Sequence, residues 1–308
     1  MTETGTAPGL FVSIARLARF TRVMYKPHYL VYAIIWVLAL EGMAAAVAPP
    51  ESPWRPSGAT VVRIVVVAIA LLYLRMLDEQ KDLDYDRVHN PDRPLVTGAV
   101  SAAELRWAMG VLGAVSIALS LALSVRSALT IAAVLGYGLA LWAMERGSER
   151  MRTGILLNLA ITYPIQLLVI AYVLLSAIDT GDIEPSGRAT AVALVSTGVF
   201  LSFEVVRKTA REDRPGELLY SQPLGPAGSA VVALLLAIGA VTAYLLLLRP
   251  ALAAPVPLEW IPVALLVIPV GATWRFLRGR DIEHPVLPAV AFTLLCYLSF
   301  IALALWSG

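Results

Sequence analysis

Apolar runs of about twenty residues, the length that crosses a bilayer, recur along nearly the whole chain. They fall at approximately 29–48, 59–77, 103–125, 128–145, 153–176, 189–206, 227–248, 259–277 and 286–306. Proline and glycine mark the breaks: Pro49-Pro50, Pro91 and Pro94, Gly147, Pro185, Pro223 to Pro226, Pro250 and Pro255, and Pro285. Ahead of the first run, residues 9–25 mix apolar and basic positions at helical spacing. That pattern predicts an amphipathic helix lying in the membrane interface, with its arginines toward lipid headgroups. The whole predicts an all-α polytopic membrane protein: nine transmembrane helices in a single membrane-embedded domain over 1–308.

Composition agrees. Of 308 residues 58% are hydrophobic and only 15% charged, against about 25% charged in a typical soluble domain. Mean hydropathy is +0.75. The net charge of +2 gives no footprint for nucleic acid. One cysteine, Cys296, lies in the last run, so no disulfide forms within the chain. Arg16, Arg19, Arg22 and Lys26 precede a full-length span, which is not the pattern of a short cleavable signal. Of the 24 lysines and arginines, all but Arg55, Arg63, Arg126, Arg188 and Arg249 fall on one side of the predicted topology. The positive-inside rule makes that side cytoplasmic, in a plasma or inner membrane. With nine spans the N-terminus is then inside and the C-terminus outside.

One charged stretch stands apart. Leu77-Asp78-Glu79-Gln80-Lys81-Asp82-Leu83-Asp84-Tyr85-Asp86 closes the second span and runs on to Pro91-Asp92-Arg93-Pro94. If the helix continues to Asp86, then Asp78, Asp82 and Asp86 recur every four residues along one face. Like charges at that spacing repel by a few tenths of a kcal/mol per pair, and a divalent cation reverses the sign. A second polar cluster closes the sixth span: Glu204, Arg207, Lys208, Arg211 and Glu212, followed by Tyr220-Ser221. Four spans separate the two, so both face the same side, as in a parallel duplication with two helical bundles around a shared cavity.

Carboxylates without clustered histidine or cysteine suit a hard cation such as Mg2+, usually held by one or two carboxylates together with substrate phosphates. Metal at Asp78, Asp82 and Asp86 opposite Arg207, Lys208 and Arg211 would clamp a diphosphate from two sides. The apolar remainder of the substrate would lie between the spans. An allylic prenyl diphosphate fits, with apolar and aromatic walls keeping water from the cation left when diphosphate departs. Asp86 or Glu79 is the candidate base for an acceptor's proton, since that role needs a carboxylate not fully used by metal.

The stretch from Asp78 to Ser101 resembles the first signature of the UbiA superfamily of intramembrane prenyltransferases. That signature reads Asn-Asp-x-x-Asp-x-x-x-Asp, then Pro-x-Arg-Pro, then Gly-x-hydrophobic-Ser. Here Asp78-Glu79 stand at the Asn-Asp pair, Asp82 and Asp86 match the later acids, and Pro91 to Pro94 and Gly98 to Ser101 match the rest. The resemblance implies nine helices in two pseudo-repeated bundles, Mg2+ as cofactor, and Arg93 with the basic residues of the second cluster on the diphosphate. The second signature departs from Asp-x-x-x-Asp: Glu204 stands first and Lys208 stands where an acid belongs. Either Lys208 pairs directly with phosphate, or Glu204 and Glu212 still hold a metal with Lys208 between them. In the loop after span four, where a Tyr and a Lys-Arg pair are usual, only Arg146 could serve.

Three functions follow. A transferase would pass the prenyl group to an aromatic or lipophilic acceptor. A terpene cyclase, also known in the superfamily, would capture the allylic cation with the substrate's own double bonds. An ion-coupled transporter would use the acids for an ion, but these acids lie at span ends rather than the midplane. Asn158, Thr162, Tyr163 and Gln166 in span five either face the cavity or join helices. Arg22 and Lys26 either anchor lipid headgroups or help hold an anionic substrate.

Overall fold

The computed structural model describes residues 9–48, 53–148, 154–214, 216–249 and 257–306. Pro49, Pro50, Pro250, Pro255, Glu149 and Arg150, and the last two residues of the chain, lie outside the described residues. The elements are helical: α1 (Leu10–Met24), α2 (Pro27–Val47), α3 (Gly58–Lys81), α4 (Leu83–His89), α5 (Ala102–Leu121), α6 (Val125–Gly147), α7 (Ile155–Asp179), α8 (Gly187–Arg207), α9 (Ser221–Leu248), α10 (Ile261–Leu265), α11 (Val267–Arg278) and α12 (Val286–Trp306). Among the described residues nine segments are long and apolar enough to cross a membrane: α2, α3, α5 to α9, Leu258–Arg278 and α12. This is an all-helical integral membrane protein. A single bridge between Ala210 and Glu283 is the only strand-like pairing among the described residues.

Local chemistry sets the boundaries. Ser57, Ser101, Ser124 and Ser186 each cap a helix by accepting the backbone N–H three residues on. At Ser57 and Ser101 the third helical residue, Thr60 or Glu104, bonds back to the cap's own N–H. The eighth span is one apolar run in sequence but two helices in space. Pro269 has no N–H to offer the carbonyl at 265, and α10 ends at Leu265. At the start of α9, Gly225 takes a φ of +71° ahead of Pro226, where a side chain would strain the kink.

Packing divides into two groups linked by α2. On one side α3, α5 and α6 pack together, with α7 on α6; on the other α8, α9, α11 and α12 pack together. α2 touches α3, α8 and α12 and supplies the innermost side chains, including Trp36 and Met43. Leu129, Leu194, Leu246 and Leu287 point outward as an exposed apolar belt. α1 buries Leu17 and Phe20, exposes Leu10, Phe11 and Ile14, and sets Arg16 3.8 Å from Glu104. Both polar clusters lie at the same end of the bundle, at the ends of α3 and α8.

At the opposite end lies a buried ion network that the sequence disguises as a loop charge. Arg63 and Glu41 are fully buried and joined at 2.5 Å, and a second Arg63 nitrogen meets Asp182 at 2.6 Å. Thr60 donates to Glu41 and Thr180 to Asp182.

Candidate active site

Asp82 is the hinge of the first cluster. Its N–H closes α3 on the Asp78 carbonyl at 2.8 Å, its φ and ψ of −93° and 11° leave the α region, and α4 starts at the next residue. The expected stripe of Asp78, Asp82 and Asp86 is therefore not one face. Asp78 and Asp82 stay together and open, with side chains 47% and 46% exposed. Asp86 falls seven residues from Glu79, two helical turns, and both are buried. Arg93 joins them: its Nη1 lies 3.0 Å from Glu79 Oε1 and 2.5 Å from Asp86 Oδ2. Arg75 adds a 2.5 Å bond to the same Glu79 oxygen, and Asn90 donates to Asp86 at 2.9 Å.

Asp86, Glu79 and Arg93 each have a partner in the structure. Asp86 is bonded by Arg93 and Asn90. Neither Asp86 nor Glu79 stands without a partner: Arg93 bonds both, Arg75 adds a bond to Glu79, and Asn90 adds one to Asp86. Arg93 holds acids of its own motif. The loop after it is explained locally: Thr97 N–H bonds the Arg93 carbonyl, Gly98 has φ of +73°, and Ser101 caps α5.

Around the open pair the structure places two residues that sequence reasoning missed. Lys81 Nζ lies 3.7 Å from Asp78, 3.9 Å from Asp82 and 3.2 Å from Glu145 at the end of α6. Glu145 is buried, and its other oxygen faces the Asn158 amide at 3.5 Å. Lys81 carried a signal, since it sits three residues after Asp78 on the same helix. Glu145 stands beside Arg146 in the loop already singled out, but its own role shows only in the contact with Lys81 from another helix. Asp82 lies outside the span proper; its partial burial disfavours charge and pushes its carboxyl up to about 6, with Lys81 opposing the shift.

The second cluster is rearranged as well. Glu204 is buried and takes Arg207 Nε at 2.5 Å and Lys208 Nζ at 3.3 Å. Glu212 is exposed, whereas Glu204 is buried against its two basic neighbours. Arg211 turns away to the α11–α12 loop, donating to the carbonyls of Phe276 at 2.6 Å and Asp281 at 3.2 Å and lying over the Phe276 ring. Arg146 lies over the Trp142 ring, 5.3 Å from its centroid. In α7 Thr162 donates to the Asn158 carbonyl, and Tyr163 to the Thr197 carbonyl. A separate cleft of about 390 Å3 opens where α1 meets α2, with Lys26, His28, Arg75 and Arg93 on its walls and Asp92 among them.

Among the described residues no three acids, histidines or cysteines gather at metal-ligand spacing. The donor set that does fit Mg2+ is the open pair, since that ion takes one or two carboxylates and completes its shell with phosphate and water.

No sequence-family model matches this chain, and no curated protein does. Solved structures do. A UbiA homologue from Archaeoglobus fulgidus bound to DMAPP and Mg2+ superposes with a TM-score of 0.61 at 17% identity, over 90% of this chain and 96% of its own. A UbiA homologue from Aeropyrum pernix K1 gives 0.60 at 16%, over 89% and 97%. A structure from work on digeranylgeranylglyceryl phosphate synthase gives 0.64 at 15%, over 95% and 99%. The likeness over nearly the full length gives this chain the fold of these UbiA homologues.

Proposed function

We propose that this protein is a Mg2+-dependent intramembrane prenyltransferase of the UbiA superfamily, working as one membrane-embedded unit on an allylic prenyl diphosphate. The observation that carries the proposal is the open pair of carboxylates, Asp78 and Asp82, at the end of α3 in a chain with this fold. Magnesium, when bound, supplies positive charge that neutralises the diphosphate and makes it a better leaving group. Asp78 and Asp82 hold that ion. Lys208 and Arg207, at the end of α8 on the same end of the bundle, take phosphate oxygens directly, which fits a cluster with one acid and two cations. The prenyl chain lies among the apolar side chains of the bundle, which exclude water from the allylic carbon. The acceptor is aromatic or lipophilic and enters from the membrane. Nineteen of 24 basic residues favour a cytoplasmic site and N-terminus.

Purified protein in nanodiscs with Mg2+ and geranyl, farnesyl or geranylgeranyl diphosphate tests this. Diphosphate release that waits for an aromatic or lipid acceptor supports the transferase. Release with a cyclic hydrocarbon and no acceptor makes the protein a terpene cyclase instead. Asp82→Ala abolishes turnover while the protein remains folded, and a variant with near wild-type activity overturns the metal assignment.

A further inference from the structure

We infer that Lys81 is a tethered cation that holds Asp78, Asp82 and Glu145 together in the metal-free protein, gives way to the divalent ion, and then turns to the diphosphate. The inference rests on the metal site proposed above and adds a residue and an order of events to it. Three carboxylates from two helices surround one ammonium at 3.2 to 3.9 Å. Without that ammonium, two acids one turn apart and a buried third would repel one another.

The neighbouring pairs show what a permanent clamp looks like in this site. Arg75 and Arg93 meet Glu79 and Asp86 at 2.5 Å, and those acids are closed to solvent. Lys81 instead makes longer contacts, and two of its three acids are about half exposed. A guanidinium fixes a carboxylate in a rigid fork, whereas an ammonium is a point charge on a flexible stem with no preferred geometry. An incoming divalent cation therefore competes with Lys81 and not with the arginines. Glu145, backed by Asn158 from α7, is buried and stays with the lysine. The released ammonium thus remains at the edge of the site, where the charge entering next is phosphate.

Substrate-free Mg2+ binding to the full chain in nanodiscs, measured by calorimetry on wild type, Lys81→Met and Asp82→Asn, tests this. Lys81→Met binds Mg2+ about tenfold tighter than wild type, because one competing charge is gone. Asp82→Asn binds none. Should Lys81→Met fail to fold, wild type alone decides: an amine-acylating reagent read by mass spectrometry labels Lys81 several-fold more with Mg2+ present, and inorganic diphosphate added next suppresses the labelling. Unchanged or weaker binding by Lys81→Met, with Asp82→Asn still inactive in binding, overturns the role of the lysine and leaves the metal site standing. Labelling of Lys81 that Mg2+ leaves unchanged also overturns it. Undiminished binding by Asp82→Asn removes the metal site and the lysine's role with it.

Discussion

Arg93 reaches back 14 residues to Glu79, and the same nitrogen that meets Glu79 also holds Asp86. This one side chain therefore ties α4 to α3 across the break at Asp82. Arg93→Ala leaves two buried carboxylates short of a partner, at about 3–5 kcal/mol. Thermal unfolding in detergent should fall accordingly, and Arg93→Lys should recover part of the loss, since both contacts run through one nitrogen, which an ammonium on a shorter stem supplies. A variant as stable as wild type would mean that the acids find other partners.

Arg63→Met strands Glu41 and Asp182 at the other end of the bundle and should cost a similar amount, about 3–5 kcal/mol. Adding Glu41→Gln should restore part of the loss, because the remaining group no longer carries a charge. Thermal melts of both variants check this, and a double variant no better than the single one speaks against the network.

Acid should attack the same place. Burial raises the Asp182 pKa, but hydrogen bonds from Thr180 and Arg63 outweigh it and hold the carboxyl below its ordinary 3.8. A folded-state pKa below the unfolded one adds stability that is fully present above the unfolded value. That stability is lost as pH falls through the folded value. Melting curves below pH 4 should therefore be less steep in pH for Asp182→Asn than for wild type, and identical slopes would remove Asp182 from the account.

Two basic neighbours should part company in kinetics. Arg211→Ala should lower thermal stability by loosening the α11–α12 loop, with little change in KM for the prenyl diphosphate, since its guanidinium faces carbonyls. Lys208→Ala should raise that KM about tenfold, the loss of one charge-assisted contact. Equal effects on KM would return Arg211 to the substrate.

Close approach of α8 and α9 depends on Gly198. A Cβ there would lie 2.8 Å from the Ala240 Cβ and 3.2 Å from its Cα, so backbone must move. Gly198→Ala should cost about 1–3 kcal/mol by overpacking, read as a lower melting temperature.

Spans were readable because hydrocarbon asks for a length of apolar chain and little else. The site was readable in part. Asp78 and Asp82 stand open as their spacing implies, but the same spacing runs on to Asp86 and hides the break at Asp82. Only Arg93, folding back from beyond Pro91, reveals which acids are closed. Arg63 looked like a boundary charge because its partners come from α2 and from beyond α7. Glu145 and Arg211 depend on contacts with distant segments, which local pattern does not encode.

The Arg63 network also orders the birth of the protein. An arginine at the centre of a lone span costs roughly 2.5–3.5 kcal/mol on insertion scales and less toward the end, and Arg63, five residues from the start of α3, still enters apolar chain without its partners. Glu41 is already in place on α2, so the two helices are best delivered to the lipid as a hairpin. Asp182 and Thr180 arrive only after α7 has been made. Until then the hairpin carries an arginine with half its partners, a built-in reason for the early helices to wait for the later ones before leaving the insertion machinery.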